Sequence, residues 1–303
     1  MTIEAEGGSS ELTISAGNST NFVLLSEGCV SYILSHTSPR DACRASSICR
    51  GFKLFANSDA VWEPFLPADY MDIISRSVTP VGFTSKKELY FRLCDSHLLL
   101  DDGNLSFSLN KKDGKKCYML GAKSLSIAWQ DTLVFWRWRP LPESRFSKAA
   151  ELLAVCWLEI KGKFKTTMLS SETTYAAFLV YNIGQLSHGL DFAAKTSVRR
   201  HVGEMEVEDE SEDVDMPVVY LKPSKASDNL HNSAHTRTEV IGGVPHRRAD
   251  GWMEVELGKF YNDNMDGEVD MRFMETNELH WKSGLIVEGI DIRPVDGEFH
   301  YHR

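Results

Sequence analysis

The chain has 303 residues, of which 43 are acidic and 33 basic, for a formal net charge of −10. Eight of the acids fall in one stretch (Glu204, Glu206, Glu208, Asp209, Glu210, Glu212, Asp213 and Asp215), and the rest of the chain carries only −2. That balance excludes a general nucleic-acid binder, because nothing offsets phosphate repulsion, and no apolar run outlasts Leu152 to Leu158, far short of the roughly 20 residues a membrane helix needs.

The start, Met1-Thr2-Ile3-Glu4-Ala5-Glu6, is acidic without an apolar stretch, so no secretory signal is expected. The six cysteines at 29, 43, 49, 94, 117 and 156 form no CxxC. They read as free thiols in a reducing compartment, cytoplasmic and/or nuclear. Residues 1–20, rich in Gly, Ser, Thr and Glu, lack apolar periodicity and are expected to be disordered.

Residues 21–67 predict a small module of three short helices. One runs from about Glu27 to His36, with Cys29, Val30, Ile33 and Leu34 at helical spacing. The next opens at Ser38-Pro39-Arg40-Asp41. Ser38 can cap, Pro39 suits the first helical position, and Asp41 meets free N–H groups at the positive dipole end. It carries Ala42, Ala45, Ile48, Cys49 and Phe52. A third opens at Ser58-Asp59, buries Val61, Trp62, Phe65 and Leu66, and stops at Pro67. A core this small leaves apolar surface for something else to cover.

Residues 68–114 read as a connecting region, with a short helix from Ser85-Lys86-Lys87-Glu88 and a strand at Leu105, Phe107 and Leu109. From residue 115 to 303 the pattern becomes short strands between turns: Cys117–Leu120, Leu125–Ile127, Val155–Lys161, Tyr175–Ile183, Val218–Leu221, Trp252–Leu257, Val269–Met274 and Leu285–Ile292. The connections leave room for helices, for instance at Leu141 to Leu153. The sum is an α+β multidomain chain, a helical module followed by a mainly antiparallel β-sandwich or barrel. Residues 203–216 and 223–250 read as insertions, and 204–215 as a solvated, mobile one.

Three tryptophans, Trp129, Trp136 and Trp138, crowd ten residues beside Asp131 and Phe135. Two arrangements fit. They fill the sandwich core, or they form a platform for the apolar faces of sugar rings with carboxylates accepting hydroxyl hydrogen bonds. Trp136 and Trp138, two apart, share one face of a strand.

Leu24-Leu25-Ser26-Glu27 through Ser38-Pro39-Arg40-Asp41 to Val61-Trp62 resembles an F-box, with Leu25-Ser26 where many F-boxes have Leu-Pro. Further motifs resemble the phloem protein 2 family, whose relatives include the tobacco lectin Nictaba. They are Lys123-Ser124-Leu125-Ser126-Ile127, Trp136-Arg137-Trp138, Arg248 to Glu254, Gly267 to Glu275 and Trp281-Lys282-Ser283-Gly284-Leu285. The pairing of the two resembles plant F-box proteins of phloem protein 2 type. It implies a jelly-roll-like lectin domain over 115–303 that binds N-acetylglucosamine-containing glycans through Trp129, Trp136, Glu268 and Glu275. It also implies an F-box whose Leu25, Ile33, Pro39, Ile48 and Trp62 serve a Skp-type adaptor within an SCF-type ubiquitin ligase, and it allows a homodimer through the lectin domain. Glu268 and Glu275 are seven apart, so one regular strand sends them to opposite faces unless a strand end or bulge intervenes.

No P-loop, GxSxG or zinc-spaced Cys/His set is present. His231 and His235 have helical spacing but no third ligand. Nothing sets Glu268 and Glu275 up as glycosidase carboxylates. The reading is a non-catalytic receptor with no cofactor and no metal, binding a target by proximity to a ligase core. The rival readings are a lectin or stress-response protein with no degradative role, and a protein-binding receptor that has lost glycan binding.

Overall fold

A computed structural model of the chain describes residues 26–201, 216–222, 242–276 and 279–296. The expectations for residues 1–20, Leu25, the acidic run 204–215, His231 and His235 lie outside the described residues.

The helical half comprises α1 (Glu27–Ser35), α2 (Pro39–Ala45), α3 (Arg50–Phe55), α4 (Asp59–Trp62) with a 3-10 turn behind it, α5 (Tyr70–Ser75) and α6 (Lys86–Asp95). Ser38 caps α2 as expected, accepting from the Asp41 N–H at 3.1 Å, with Pro39 in the first turn. Ser85 caps α6 in the same way through the Glu88 N–H at 3.2 Å. The expected second helix breaks in two. Ser46 Oγ turns back to the Cys43 carbonyl at 2.6 Å and Ile48 N–H takes an i−3 carbonyl, so the chain leaves the α ladder before Arg50. Four short helices therefore stand where three were expected.

The strands begin at Leu98, inside the segment expected to connect the modules. In chain order they are β1 (Leu98–Leu100), β2 (Leu105–Leu109), β3 (Lys116–Gly121), β4 (Ser126–Ile127), β5 (Trp136–Arg139), β6 (Ala149–Leu152) and β7 (Leu158–Lys165). Then follow β8 (Thr173–His188), β9 (Ala194–His201), β10 (Val218–Val219), β11 (His246–Arg247), β12 (Met253–Asn262), β13 (Glu268–Glu275) and β14 (Ser283–Pro294). The helix that 141–153 had room for is absent. That span is turns followed by β6, which pairs with β5 and β14.

Every pairing among the described residues is antiparallel, and the strands form two sheets. The larger runs β1-β2-β3-β14-β8-β12-β11 with β5 and β6 attached, and the smaller β10-β9-β13-β7-β4. The sheets face each other as a sandwich. Tyr118 of β3 meets Phe164 of β7 at a ring separation of 5.1 Å. At Gly162 of β7 a Cβ would sit 3.0 Å from Ile290 of β14, so the sheets approach too closely there for a side chain. Inward-facing Val269, Met271 and Phe273 alternate with outward residues along β13, and all three are buried.

The helices share this core. Trp62 is fully buried, its indole N–H held by the Ala56 carbonyl at 2.7 Å and its ring packed on Phe65, Tyr90 and Phe91. One contiguous set of buried apolar residues runs from Val30 on α1 to Ile292 on β14.

Candidate functional site

Four connections pass between the sheets at one end of the sandwich. β4 leads to β5, β6 to β7, β8 to β9, and β13 to β14, each crossing from one sheet to the other. The register locates them together. Ala128 N–H donates to Glu159 O at 3.0 Å, Leu153 N–H to Phe135 O at 2.8 Å, and Val155 pairs with Lys282 across bonds of 3.0 and 2.7 Å.

Each crossing carries an exposed aromatic side chain. They are Trp129 (59% exposed), Trp157 (43%), Phe192 (39%) and Trp281 (59%). Trp129 has φ of 66°, a backbone conformation rare for a bulky residue and held here by the turn bonds of Gln130 and Thr132. Its ring leans edge-on against Phe135 at 6.3 Å. Phe192 stacks on His280 at 4.1 Å. Leu133, Val134, Leu186 and Leu279 are exposed aliphatics on the same connections or the strand end beside them.

The four residues that the resemblance assigns to sugar are placed differently from one another. Trp129 is on the surface of this end. Trp136 lies directly beneath, 1% exposed, its indole N–H donating to the Ala128 carbonyl at 3.0 Å. It faces inward with Trp138, as two residues on one strand face must, while Arg137 and Arg139 face outward. Glu275 closes β13 at the same end but is buried and paired with buried Lys282. Glu268 opens β13 at the opposite end, on the outer face, 3.4 Å from Lys163 Nζ. Seven residues of strand separate the two acids by about 23 Å, with no bulge between them. The structure thus groups Trp129, Trp136 and Glu275, and leaves Glu268 apart. Trp157, Phe192 and Trp281 were not expected as site residues. The one signal the sequence held for them was aromatic residues just outside strand ends.

Lys282 is the staple of this end. Its ammonium donates to the Cys156 carbonyl at 2.8 Å and the His280 carbonyl at 2.6 Å as well as meeting Glu275. Those carbonyls belong to the residues immediately before Trp157 and Trp281.

The second candidate surface is on the helices. Tyr32 and Ile33 on α1, Ile48 before α3 and Leu54 on α3 are exposed. A groove of about 470 Å³ lies between α1 and the start of α4, lined by Gly28, Ser31, Tyr32, Ser35, Ser58 and Ala60. Of the residues assigned to an adaptor, Ile33 and Ile48 are therefore on the surface. Pro39 and Trp62 are buried and support it from within.

Residues 115–294 match the family model of phloem protein 2. Relatives from Arabidopsis thaliana extend the match over the helices. F-box protein PP2-B10 is 42% identical over 281 residues, 91% of this chain and 95% of that one. F-box protein PP2-B1 is 37% identical over 314 residues, covering 93% and 92%. The chain belongs to the plant F-box proteins of phloem protein 2 type. F-box protein VBF, 37% identical over 289 residues, covers 90% of this F-box protein and 99% of itself. No helix among the described residues is long and apolar enough to cross a membrane.

Proposed function

We propose that this F-box protein is a non-catalytic substrate receptor of an SCF-type ubiquitin ligase. In this reading α1 to α4 dock on a Skp-type adaptor, and the sandwich end holds a glycoprotein through an N-acetylglucosamine-containing glycan. The observation that carries the reading is the distribution of exposed large apolar side chains. Of the sixteen among the described residues, eight lie on the crossing end and four on α1, α3 and the turn between α2 and α3. Two separate uncovered patches, one per module, are what a bridging protein requires. Ligation then needs no chemistry in this chain, only proximity of target and ligase. A cytoplasmic or nuclear setting fits its free thiols.

The adaptor half is tested by co-purification of the full chain with a Skp-type adaptor. Ile33→Asp with Ile48→Asp should abolish the complex without lowering the melting temperature, since both side chains are exposed. A wild-type chain that forms no complex overturns the ligase reading. The glycan half is tested on a glycan array. Trp129→Ala should remove binding, and retained binding refutes the site.

A second reading, a receptor for polypeptide with no glycan binding, is favoured by the exposed Leu133, Val134 and Leu186, because aliphatic side chains suit a protein partner at least as well as a sugar. Capture of targets stripped enzymatically of glycans separates the two. A homodimer through the sandwich belongs to either reading and is read by sedimentation.

A further inference from the structure

We propose that the outer face of the smaller sheet is a docking surface for an extended, acidic segment of a partner polypeptide. This face is separate from the crossing end and from the helices, so the inference goes beyond the function proposed above.

Alternation along β7, β9 and β13 sends four residues of each strand outward, twelve in all. Six of them are Lys161, Lys163, Lys165, Lys195, Arg199 and Arg272, and His201 can add a seventh cation. The acids among the twelve are Glu159, Glu268 and Asp270. Six cations less three acids give this face a formal charge of +3, on a chain whose total is −10.

The register arranges these charges in lines. Lys163 and Arg199 flank Asp270, and Lys165 and His201 flank Glu268. The cations therefore stand mainly on β7 and β9, about 10 Å apart with β13 between them. Lys161, Lys163 and Lys165 follow one another along β7 at about 6.8 Å. Like charges at that interval repel, and an anion laid over them relieves the repulsion. Ion pairs within the face restrain the side chains. Lys161 meets Glu159 at 2.8 Å, Lys163 meets Glu268 at 3.4 Å and Arg272 meets Asp270 at 3.0 Å.

The spacing selects the partner. An extended polypeptide repeats its side chains on one face at the same interval as β7. Acids at alternate positions meet the three lysines one for one, and a neutral residue can pass over Glu268 or Asp270. A nucleic-acid strand fits less well. Its charge is continuous and would lie against the central acids. None of the twelve outward residues is aromatic, so bases find no ring to stack on.

The test follows the fluorescence anisotropy of a labelled peptide of alternating glutamate and threonine, long enough to span β7, on adding the full chain. The wild-type chain should bind it at low salt and weaken as salt rises to about 0.15 M, where charges are screened beyond about 8 Å. The same peptide with lysine for glutamate should not bind. Lys161→Gln, Lys163→Gln and Lys165→Gln combined should weaken binding roughly tenfold. They should leave the melting temperature and adaptor co-purification at the wild-type level. Arginine at the three positions should keep the binding. Four results overturn the proposal. They are a wild-type chain that binds no peptide at low salt, glutamine variants that bind like wild type, and a thymidine oligonucleotide of matched charge that binds as tightly as the peptide. The fourth is binding that appears only after the eight acids between 204 and 215 are replaced by glutamine, which would make the chain's own acidic stretch the occupant.

Discussion

Lys282 and Glu275 bury opposite charges at the point where two crossings meet. Each compensates the other, and the remaining ammonium protons go to carbonyls. Removing one partner strands a charge in the interior, which costs about 3–5 kcal/mol. Lys282→Met should therefore lower stability by about that amount in urea titration, and adding Glu275→Gln should recover most of it. Two additive losses would show that the pair is not coupled. Trp136→Ala belongs to the same class, at about 3–5 kcal/mol, so loss of sugar binding in that variant would report unfolding rather than contact. These residues show how far the sequence reached. The motifs pointed to Trp129, Trp136 and Glu275, which the fold brings to one end of the sandwich, and parity alone said that Glu268 and Glu275 face opposite ways. What spacing could not say is which tryptophan surfaces. Exposure at Trp129, Trp157 and Trp281 depends on where the chain leaves one sheet for the other, and Trp157 continues a half-buried alternation without any break that marks the crossing.

At the level of elements, the helix starts were legible because capping is local. Ser38 and Ser85 act within four residues of their partners. β9 was not, because its inward positions include Ala194 and Thr196 and its outward ones are polar, so it shows no apolar alternation. α5 and β1 are too short to display a period. Pairing across the sheet is decided by contacts the sequence does not order, and the outer face of the larger sheet shows this. Arg248 and Arg293 each reach both Glu254 of β12, at 2.7 Å, and Asp291 of β14, at 2.9 Å. They bridge over β8, where the Arg293 guanidinium lies 3.8 Å from the Phe178 ring. Burial would raise the Glu254 carboxyl, but the Arg293 and Arg248 guanidiniums outweigh it and hold it down at about 2. A depressed carboxyl stabilises the fold above its unfolded value of 4.5, and that contribution is lost as pH falls through about 2. Glu254→Gln should thus lower the melting temperature near neutral pH and flatten its fall in that acid window. Glu288 on β14 behaves oppositely. Burial raises it, against the Arg145 N–H and Ser144 hydroxyl that donate to one oxygen, and its other oxygen has no partner. A raised carboxyl loses stability as pH climbs above 4.5. Glu288→Gln should accordingly melt higher than wild type near neutral pH and equal to it near pH 3. A lower melting temperature near neutral pH would mean that the Arg145 guanidinium, 3.9 Å away, dominates instead.

Across the whole molecule, the sequence divides into modules more sharply than the structure does. Composition changes from helical to strand-like near residue 115, yet the helices have no core of their own that ends before the sandwich begins. Trp62 packs on Tyr90, and the Tyr90 hydroxyl reaches the carbonyls of Asn110 and Lys111 in the β2–β3 turn. Lys116 of β3 pairs with Asp69 at 2.7 Å, Arg76 holds Asp101 through two bonds of 2.9 and 2.7 Å, and Ser77 bridges to Leu100. Gly114 closes the joint at φ +72°, where a Cβ would lie 2.5 Å from the Phe65 carbonyl. If the proposed function holds, surfaces joined in this way would keep a bound target at a set orientation to the ligase core, with no hinge between them. The expectation is one cooperative transition. Calorimetry of the full chain should give a single peak whose calorimetric and van't Hoff enthalpies agree, and loss of adaptor binding on heating should coincide with loss of the tryptophan signal. Gly114→Ala should lower that one midpoint, by strain of about 1–2 kcal/mol and by the clash with Phe65, and should shift both signals together. Two resolved peaks, or adaptor binding that persists after the sandwich melts in the Gly114→Ala variant, would mean that the helices fold independently and that the orientation between the two surfaces is not fixed by the shared core.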